Sequence, residues 1–201
     1  MKYDFNKQPM TASASRTLDS FKESMFQLLQ SNEFEKISVQ LLCKRSGYPR
    51  ATFYNYFDDK FDLLEYCWST LFESLSFDIH KTLTPSDALH YYFKKTYELF
   101  DKNRELISNM KQFNLMSGYL WSNFTIYTKH YFINLLNDCE NFPKISIDLT
   151  LIAEHYVNSI FLFLDFIFLQ NKQLSYQEAI KQLEFFLYPF INASVLDHSE
   201  E

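Results

Sequence analysis

The chain has 201 residues, and 47% of them are hydrophobic, enough for a sizeable buried core in one or two domains; this excludes a disordered chain. Two glycines and five prolines leave too little turn punctuation for a many-stranded fold, so an all-α protein is predicted. The formal net charge of −6 argues against a protein that coats nucleic acid indiscriminately, but the charge is unevenly spread: residues 1–62 carry nine Lys and Arg against eight Asp and Glu, and residues 63–201 carry ten against seventeen.

Residues 1–12 show no sustained apolar period and read as a flexible arm. A helix is predicted from about Ser15 to Ser31, where Leu18, Phe21, Met25, Leu28 and Leu29 recur at three- and four-residue steps. Ser38 is placed to cap a second helix, Val39 to Ser46, with Val39, Leu42 and Cys43 facing inward. Gly47 then allows a sharp change of direction, because positive φ costs glycine little. Pro49 precedes a third short helix, Arg50 to Phe57, in which Phe53 and Phe57 share one face. Two short helices joined by a glycine-containing turn form a helix-turn-helix.

Asp59 is predicted to cap a long helix reaching Lys81, with Asp62 favourably close to its positive end. The run Thr84-Pro85-Ser86-Asp87 marks the start of another, reaching about Phe100. Further helices are predicted over about Asn103–Lys111, Tyr119–Cys139 and Ile147–Gln170, with a turn near Pro143. Ser175 and Glu178 make a capping box for a last helix to about Ile191, which Pro189 should kink or end early.

The third helix presents Arg50, Tyr54 and Asn55 outward while Phe53 and Phe57 hold it in place. Arginine can grip a guanine edge in two places and asparagine an adenine edge, while hydroxyls and Lys60 can fix phosphates. Five basic residues against two acidic ones between Lys36 and Lys60 add a modest positive patch. The same pattern also fits an ordinary polar surface helix in a bundle.

From about Leu18 to Leu64 the sequence resembles the TetR/AcrR family of transcriptional regulators, most closely in ISVQLLCKRSGYPRATFYNYFDDKFDLL. The resemblance rests on the glycine turn, the T-F-Y-x-x-F run at Thr52–Phe57 and the D-K-x-x-L-L run from Asp59 to Leu64. It implies a helix-turn-helix DNA-binding domain over residues 13–60 and a larger helical effector-binding and dimerisation domain over 61–201. It further implies that Arg50 and Ala51 face base edges, with Ala51 able to touch a thymine methyl. Thr52, Tyr56 and Lys60 would contact phosphates, Tyr54 and Asn55 would sit at the groove, Gln40 would reach a base, and Ser38 would lie near the DNA backbone. The sequence departs from the family at Cys43, where alanine is usual, and at Tyr48, where a smaller aliphatic residue is usual. A buried filler role for Cys43 is favoured over redox sensing.

The last two helices are apolar on more than one face and need a second surface to cover them, which a homodimer through those helices provides. Between the ends lies an aromatic stretch, and a small hydrophobic or aromatic effector is expected to meet residues among Phe93, Tyr97, Phe113, Trp121, Phe124, Tyr127, His130 and His155. The plainer reading is that most of these fill the core. No metal-ligand spacing, phosphate loop or nucleophile motif is present, so neither an enzyme nor a cofactor is expected. The longest apolar run, Ile160 to Leu169, is broken by Asp165 and falls short of the ~20 residues of a membrane span. With no secretion-signal pattern at the start and no CxxC pair among Cys43, Cys67 and Cys139, a cytoplasmic protein with reduced thiols is expected. The overall expectation is a repressor that binds a palindromic double-stranded operator as a homodimer and is released by its ligand. An activator, or a sensing protein of the same fold without an operator, is the alternative.

Overall fold

The computed structural model describes residues 11–75, 85–137, 148–170, 172 and 174–196. Among the described residues the regular structure is helical throughout, with no strand. The helices are α1 (Ala12–Leu29), α2 (Val39–Ser46), α3 (Arg50–Tyr56), α4 (Lys60–Ser74), α5 (Pro85–Lys102), α6 (Arg104–Phe113), α7 (Tyr119–Asn137), α8 (Leu149–Leu164) and α9 (Tyr176–Leu196). A 3-10 turn, Phe34–Lys36, stands between α1 and α2, and a π-helical turn, Asp165–Leu169, extends α8.

The chain divides into two compact units. The first takes residues 1–74 and 105–124, and the second takes 75–104 and 125–201. The first unit therefore runs past residue 60 and recruits α6 with the opening turns of α7.

Local chemistry explains the starts of the helices. Thr11 Oγ1 accepts from the Ala14 N–H at 3.2 Å, so α1 begins three residues before the apolar period becomes visible. Ser38 Oγ accepts from Leu41 N–H at 3.2 Å and caps α2 as predicted. Asp59 Oδ1 accepts from Phe61 and Asp62 N–H groups at 2.8 and 3.0 Å, while Asp62 reaches back to Asp58 N–H at 2.9 Å, a reciprocal cap for α4. The same device opens α9, where Ser175 and Glu178 exchange side-chain and backbone hydrogen bonds.

The core of the first unit is built on Phe21 of α1, which meets Phe53 edge-on at 5.3 Å and Phe57 at 6.1 Å. Leu18, Phe21, Met25, Leu42, Phe53, Phe57, Leu63 and Leu64 are fully buried. Burying each large side chain contributes about 1.5–3 kcal/mol. Tyr48 lays its half-buried ring 5.6 Å from that of Phe21, which accounts for the large residue after the glycine turn. Cys43 is buried and its thiol is pushed up by burial, opposed by the charge of Arg50; Cys67 is fully buried and pushed higher still. Both behave as packing residues rather than reactive thiols.

The second unit packs α5, α8 and α9 against one another. Tyr97 touches Phe168 and Tyr176 at 5.1 and 5.5 Å and donates its hydroxyl to Leu174 O at 3.3 Å. His90 of α5 meets Glu184 of α9 at 2.6 Å. Thr150–Leu169 is long and apolar enough to cross a membrane by length and composition, but half of that stretch is buried within the fold. Large apolar side chains nevertheless remain exposed on α8, its extension and α9: Leu151, Leu162, Phe166, Phe185 and Phe186.

One helix boundary needs correction, and several expectations fall wholly or partly outside the described residues. Helix α9 does not stop near Ile191 but continues past Pro189 to Leu196. Proline removes one i→i−4 hydrogen bond, and the bonds on either side carry the helix through. The helix after Asp59 is described over Lys60–Ser74, and residues 76–81 of its expected span lie outside the described residues. The proposed cap at Thr84 and turn at Pro143 lie outside the described residues, as do residues 1–10 of the expected arm.

Gly47 adopts φ +76°, donates its N–H to Cys43 O at 3.1 Å, and has nothing within 4 Å of where a Cβ would stand. A Gly47→Ala variant should therefore lose stability through backbone strain alone, about 1–2 kcal/mol. Urea unfolding checks this, and an unchanged midpoint would contradict it.

Candidate nucleic-acid interface

Helix α3 is short, and its two faces differ sharply. Phe53 and the capping residue Phe57 are fully buried, whereas Arg50, Ala51, Tyr54 and Asn55 are exposed and Thr52 and Tyr56 are half-buried. The four exposed residues share one side because they lie one, three and four positions apart on a helix anchored by an i, i+4 pair. Arg50 Nη2 donates to Tyr54 Oη at 3.3 Å, and the guanidinium lies 5.8 Å from the Tyr54 ring centre. The Tyr54 ring is in turn held edge-on to buried Phe53 at 5.5 Å. The guanidinium is thus steadied from its own helix by a phenol that the core orients.

Ser38 and Gln40 are exposed at the start of α2. Lys44 and Arg45 are exposed in its last turn, where positive charge complements the helix dipole. Arg45 Nε is engaged by Gln27 Oε1 at 2.7 Å, and Lys36 is paired with Glu33 at 2.7 Å. The residues expected to meet DNA therefore fall at two places on one unit, the outer side of α3 and the first turn of α2.

Lys60 has an occupation different from the phosphate contact expected of it. Its Nζ donates to the carbonyls of Phe34, Glu35 and Ile37, each at 2.9 Å, and sits 4.6 Å from the Phe34 ring centre. An ammonium has three N–H donors, and three carbonyls receive them. Burial draws its pKa down, opposed by the charges of Glu35 and Asp59. Lys60 therefore fastens the 3-10 turn that leads into Ser38 and α2.

Asn114, which the sequence did not single out, is among the few buried polar residues of the described chain, at 5% exposure. Its Oδ1 accepts from Phe34 N–H at 2.8 Å, and its Nδ2 donates toward Leu29 O, Asn32 O and Met110 O at 3.3, 3.2 and 3.0 Å. The available signal was its place immediately after the last residue of α6, a position that suits asparagine. That rule gives no indication that the side chain reaches α1.

The eight residues expected to meet an effector do not gather in one unit. Phe113, Trp121 and Phe124 belong to the first unit, and Phe93, Tyr97, Tyr127, His130 and His155 to the second. Trp121 donates its indole N–H to Asn114 O at 3.0 Å, and Phe124 packs on Trp68 at 4.9 Å, so both serve the first unit's core. Phe113 is partly exposed and His130 exposed. Phe93 is fully buried beside Tyr176 at 5.9 Å. Tyr97, Tyr127 and His155 are half-buried, and burial lowers the pKa of His155. Among the described residues no group of three or more His, Cys, Asp or Glu side chains is placed to hold a metal ion.

Residues 26–67 match the family model of the bacterial regulatory proteins of the tetR family. This part of the first unit is similar to the TetR-type DNA-binding domain. The match spans the end of α1 through the first half of α4 and includes every residue of the α2–turn–α3 element. The fold as a whole is similar to three solved regulators. The fatty acid degradation regulator FadR from Bacillus halodurans is 14% identical at a TM-score of 0.60, covering 85% of this chain and 93% of that one. FadR from Bacillus subtilis, solved in complex with stearoyl-CoA, is 13% identical at 0.52, covering 86% and 97%. The dihydroxyacetone kinase operon activator DhaS is 18% identical at 0.52, covering 89% and 96%. No curated protein matches the chain by sequence.

Because its three donors are used internally, a Lys60→Met variant should lose about 2 kcal/mol of stability, the scale of hydrogen bonds made by a charged group. Arg50→Ala should change stability by less than about 0.5 kcal/mol, as for an exposed side chain. Denaturant unfolding of both variants compares them directly, and a Lys60→Met midpoint equal to wild type would contradict the assignment.

Proposed function

We propose that this protein is a DNA-binding transcriptional regulator that reads a palindromic operator as a homodimer and responds to an apolar small molecule. The reading is carried by one observation. Arg50, Ala51, Tyr54 and Asn55 stand exposed together on a helix whose opposite side is locked by Phe53 and Phe57, within a TetR-type domain. Arg50 supplies a two-point contact to a guanine edge, Asn55 to an adenine edge, and Ala51 an apolar contact to a thymine methyl. Ser38, Thr52 and Tyr56 supply phosphate contacts, and Gln40 reaches from the first turn of α2. Tyr54 steers the guanidinium of Arg50.

Dimerisation is assigned to α8 and α9. Phe185 is 81% exposed, and Phe186, Leu162 and Leu151 are each more than half exposed, large apolar side chains for which a partner surface is the natural cover. A two-fold dimer through these helices brings two α3 helices to successive major grooves about 34–36 Å apart. The effector is assigned to the second unit, around Phe93, Tyr97 and His155. An apolar ligand is favoured by the aromatic character of Phe93 and Tyr97 and by the solved FadR–stearoyl-CoA complex among the similar structures. Ligand binding would favour a dimer geometry whose α3 helices no longer fit adjacent grooves, a shift that requires different ligand affinities for the two geometries. Repression is the sign we assign, and the role is regulatory rather than enzymatic and set in the cytoplasm. The similar DhaS is an operon activator, so activation is the second reading, and the position of the operator relative to the promoter decides between them.

Selection from random duplexes followed by fluorescence anisotropy tests operator reading. Wild type should bind a selected palindrome at least ~10³-fold more tightly than a scrambled duplex. Arg50→Ala should lose about 1–3 kcal/mol of discrimination at a single base pair of each half-site, with the salt slope nearly unchanged. A selection that yields no preferred sequence would overturn the proposal.

The dimer surface has its own check. Phe185→Asp combined with Phe186→Asp should convert the species seen by sedimentation from dimer to monomer, with operator affinity falling at least ten-fold. A monomeric wild type would remove the dimer from the account.

A further inference from the structure

The bend that joins α1 to α2 is held from two sides, by Lys60 of α4 and by Asn114, the residue after α6. Helix α1 ends at Leu29, whose carbonyl has no partner within the helix. Asn114 Nδ2 covers that carbonyl and the carbonyl of Asn32 at 3.3 and 3.2 Å, and also bonds Met110 O at 3.0 Å, so two protons are shared among three oxygens. On its other side Oδ1 takes the Phe34 N–H at 2.8 Å. Asn114 is 5% exposed, and its bonds to Phe34, Leu29 and Met110 are buried and costly to lose, while that to Asn32 is partly buried.

The bend leads directly into the start of α2. Phe34 opens the 3-10 turn, Lys60 takes the carbonyls of Phe34, Glu35 and Ile37, and the next residue is Ser38, whose hydroxyl caps Leu41. Gln40 stands in that first turn. The position of this end of α2 is therefore fixed through a run of hydrogen bonds that begins on Asn114.

We propose that Asn114 is a positioning residue for DNA reading: by closing the C-terminus of α1 and holding the Phe34 N–H, it sets where Ser38 and Gln40 stand relative to α3. This rests on the DNA-reading assignment above. Asn114 itself touches no DNA. It acts through the α1–α2 bend, and the backbone segment that carries it, residues 105–124, is joined at both ends to the second unit.

The test uses the full-length chain and Asn114→Ala, with amide hydrogen exchange and anisotropy read side by side. Exchange at Phe34 and Leu41 should quicken at least ten-fold while the amides of Phe53 and Phe57 in the α3 core keep their protection. Affinity for the selected operator should fall at least ten-fold, with affinity for scrambled duplex unchanged within two-fold. A merely structural role predicts otherwise, since partial unfolding lowers both affinities together. Should Asn114→Ala not fold, Asn114→Asp keeps the acceptor for Phe34 N–H and removes the donors to Leu29, Asn32 and Met110. It should leave Phe34 protected, expose Leu41 to faster exchange, and weaken operator binding selectively. Unchanged operator affinity, an equal fall for both duplexes, or unaltered exchange at Leu41 would overturn the role of Asn114. A wild-type chain that prefers no duplex would overturn the DNA-reading assignment itself.

Discussion

Three backbone carbonyls that converge on a single ammonium decide where α2 begins. Phe34, Glu35 and Ile37 all direct their oxygens at Lys60, and the tight turn they form delivers the chain to Ser38 in the extended conformation a helix cap needs. Without a cation there, three carbonyls would face one another with no shared donor, an arrangement that repels. The Phe34 ring below the ammonium adds a cation–π contact at 4.6 Å and confines the charge. Everything exposed on α2 inherits its position from this point.

Helix α3 is fixed by different means. It has seven residues, too few to be stable alone, and no side-chain cap at Pro49. Its persistence depends on Phe53 and Phe57, whose rings meet each other at 5.4 Å and Phe21 of α1 edge-on. Aromatic pairs of this kind contribute about 0.5–1.5 kcal/mol beyond their buried area. A short helix held by two anchors on one side keeps the other side wholly available, which suits insertion into a groove. The turn before it relies on Gly47 in the left-handed region, a conformation that costs glycine little.

Both units were legible in the sequence wherever the determinant was local. Ser38, Gly47, Asp59 and the Ser175–Glu178 pair announce caps and turns through residues two to four positions apart, and each performs that task in the fold. Phe53 and Phe57 declared the buried side of α3 by their spacing. What escaped was long-range. Asn114 bonds residues some eighty positions earlier, and nothing near it in sequence marks such a reach. Lys60 was assigned to phosphate on its type and resemblance, whereas three carbonyls more than twenty residues upstream take its donors. Aromatic content pointed to an effector site, but Trp121 and Phe124 proved to be part of the first unit's packing, because composition does not reveal which core a ring fills. At Pro189 a local rule gave the wrong boundary, since a proline costs one hydrogen bond and a long helix retains the others.

The function proposed for this chain stands or falls on whether the outer side of α3 and the first turn of α2 form the surface that meets DNA. Backbone amide chemical-shift mapping of the full chain, titrated with a short random-sequence duplex at low salt, addresses that surface directly, because sequence-independent phosphate contacts dominate there. If the assignment is right, the largest perturbations fall at Ser38, Gln40, Arg50, Ala51, Thr52, Asn55 and Tyr56, and they fade as salt rises. Perturbations centred on other helices, or none at any salt concentration, would contradict it.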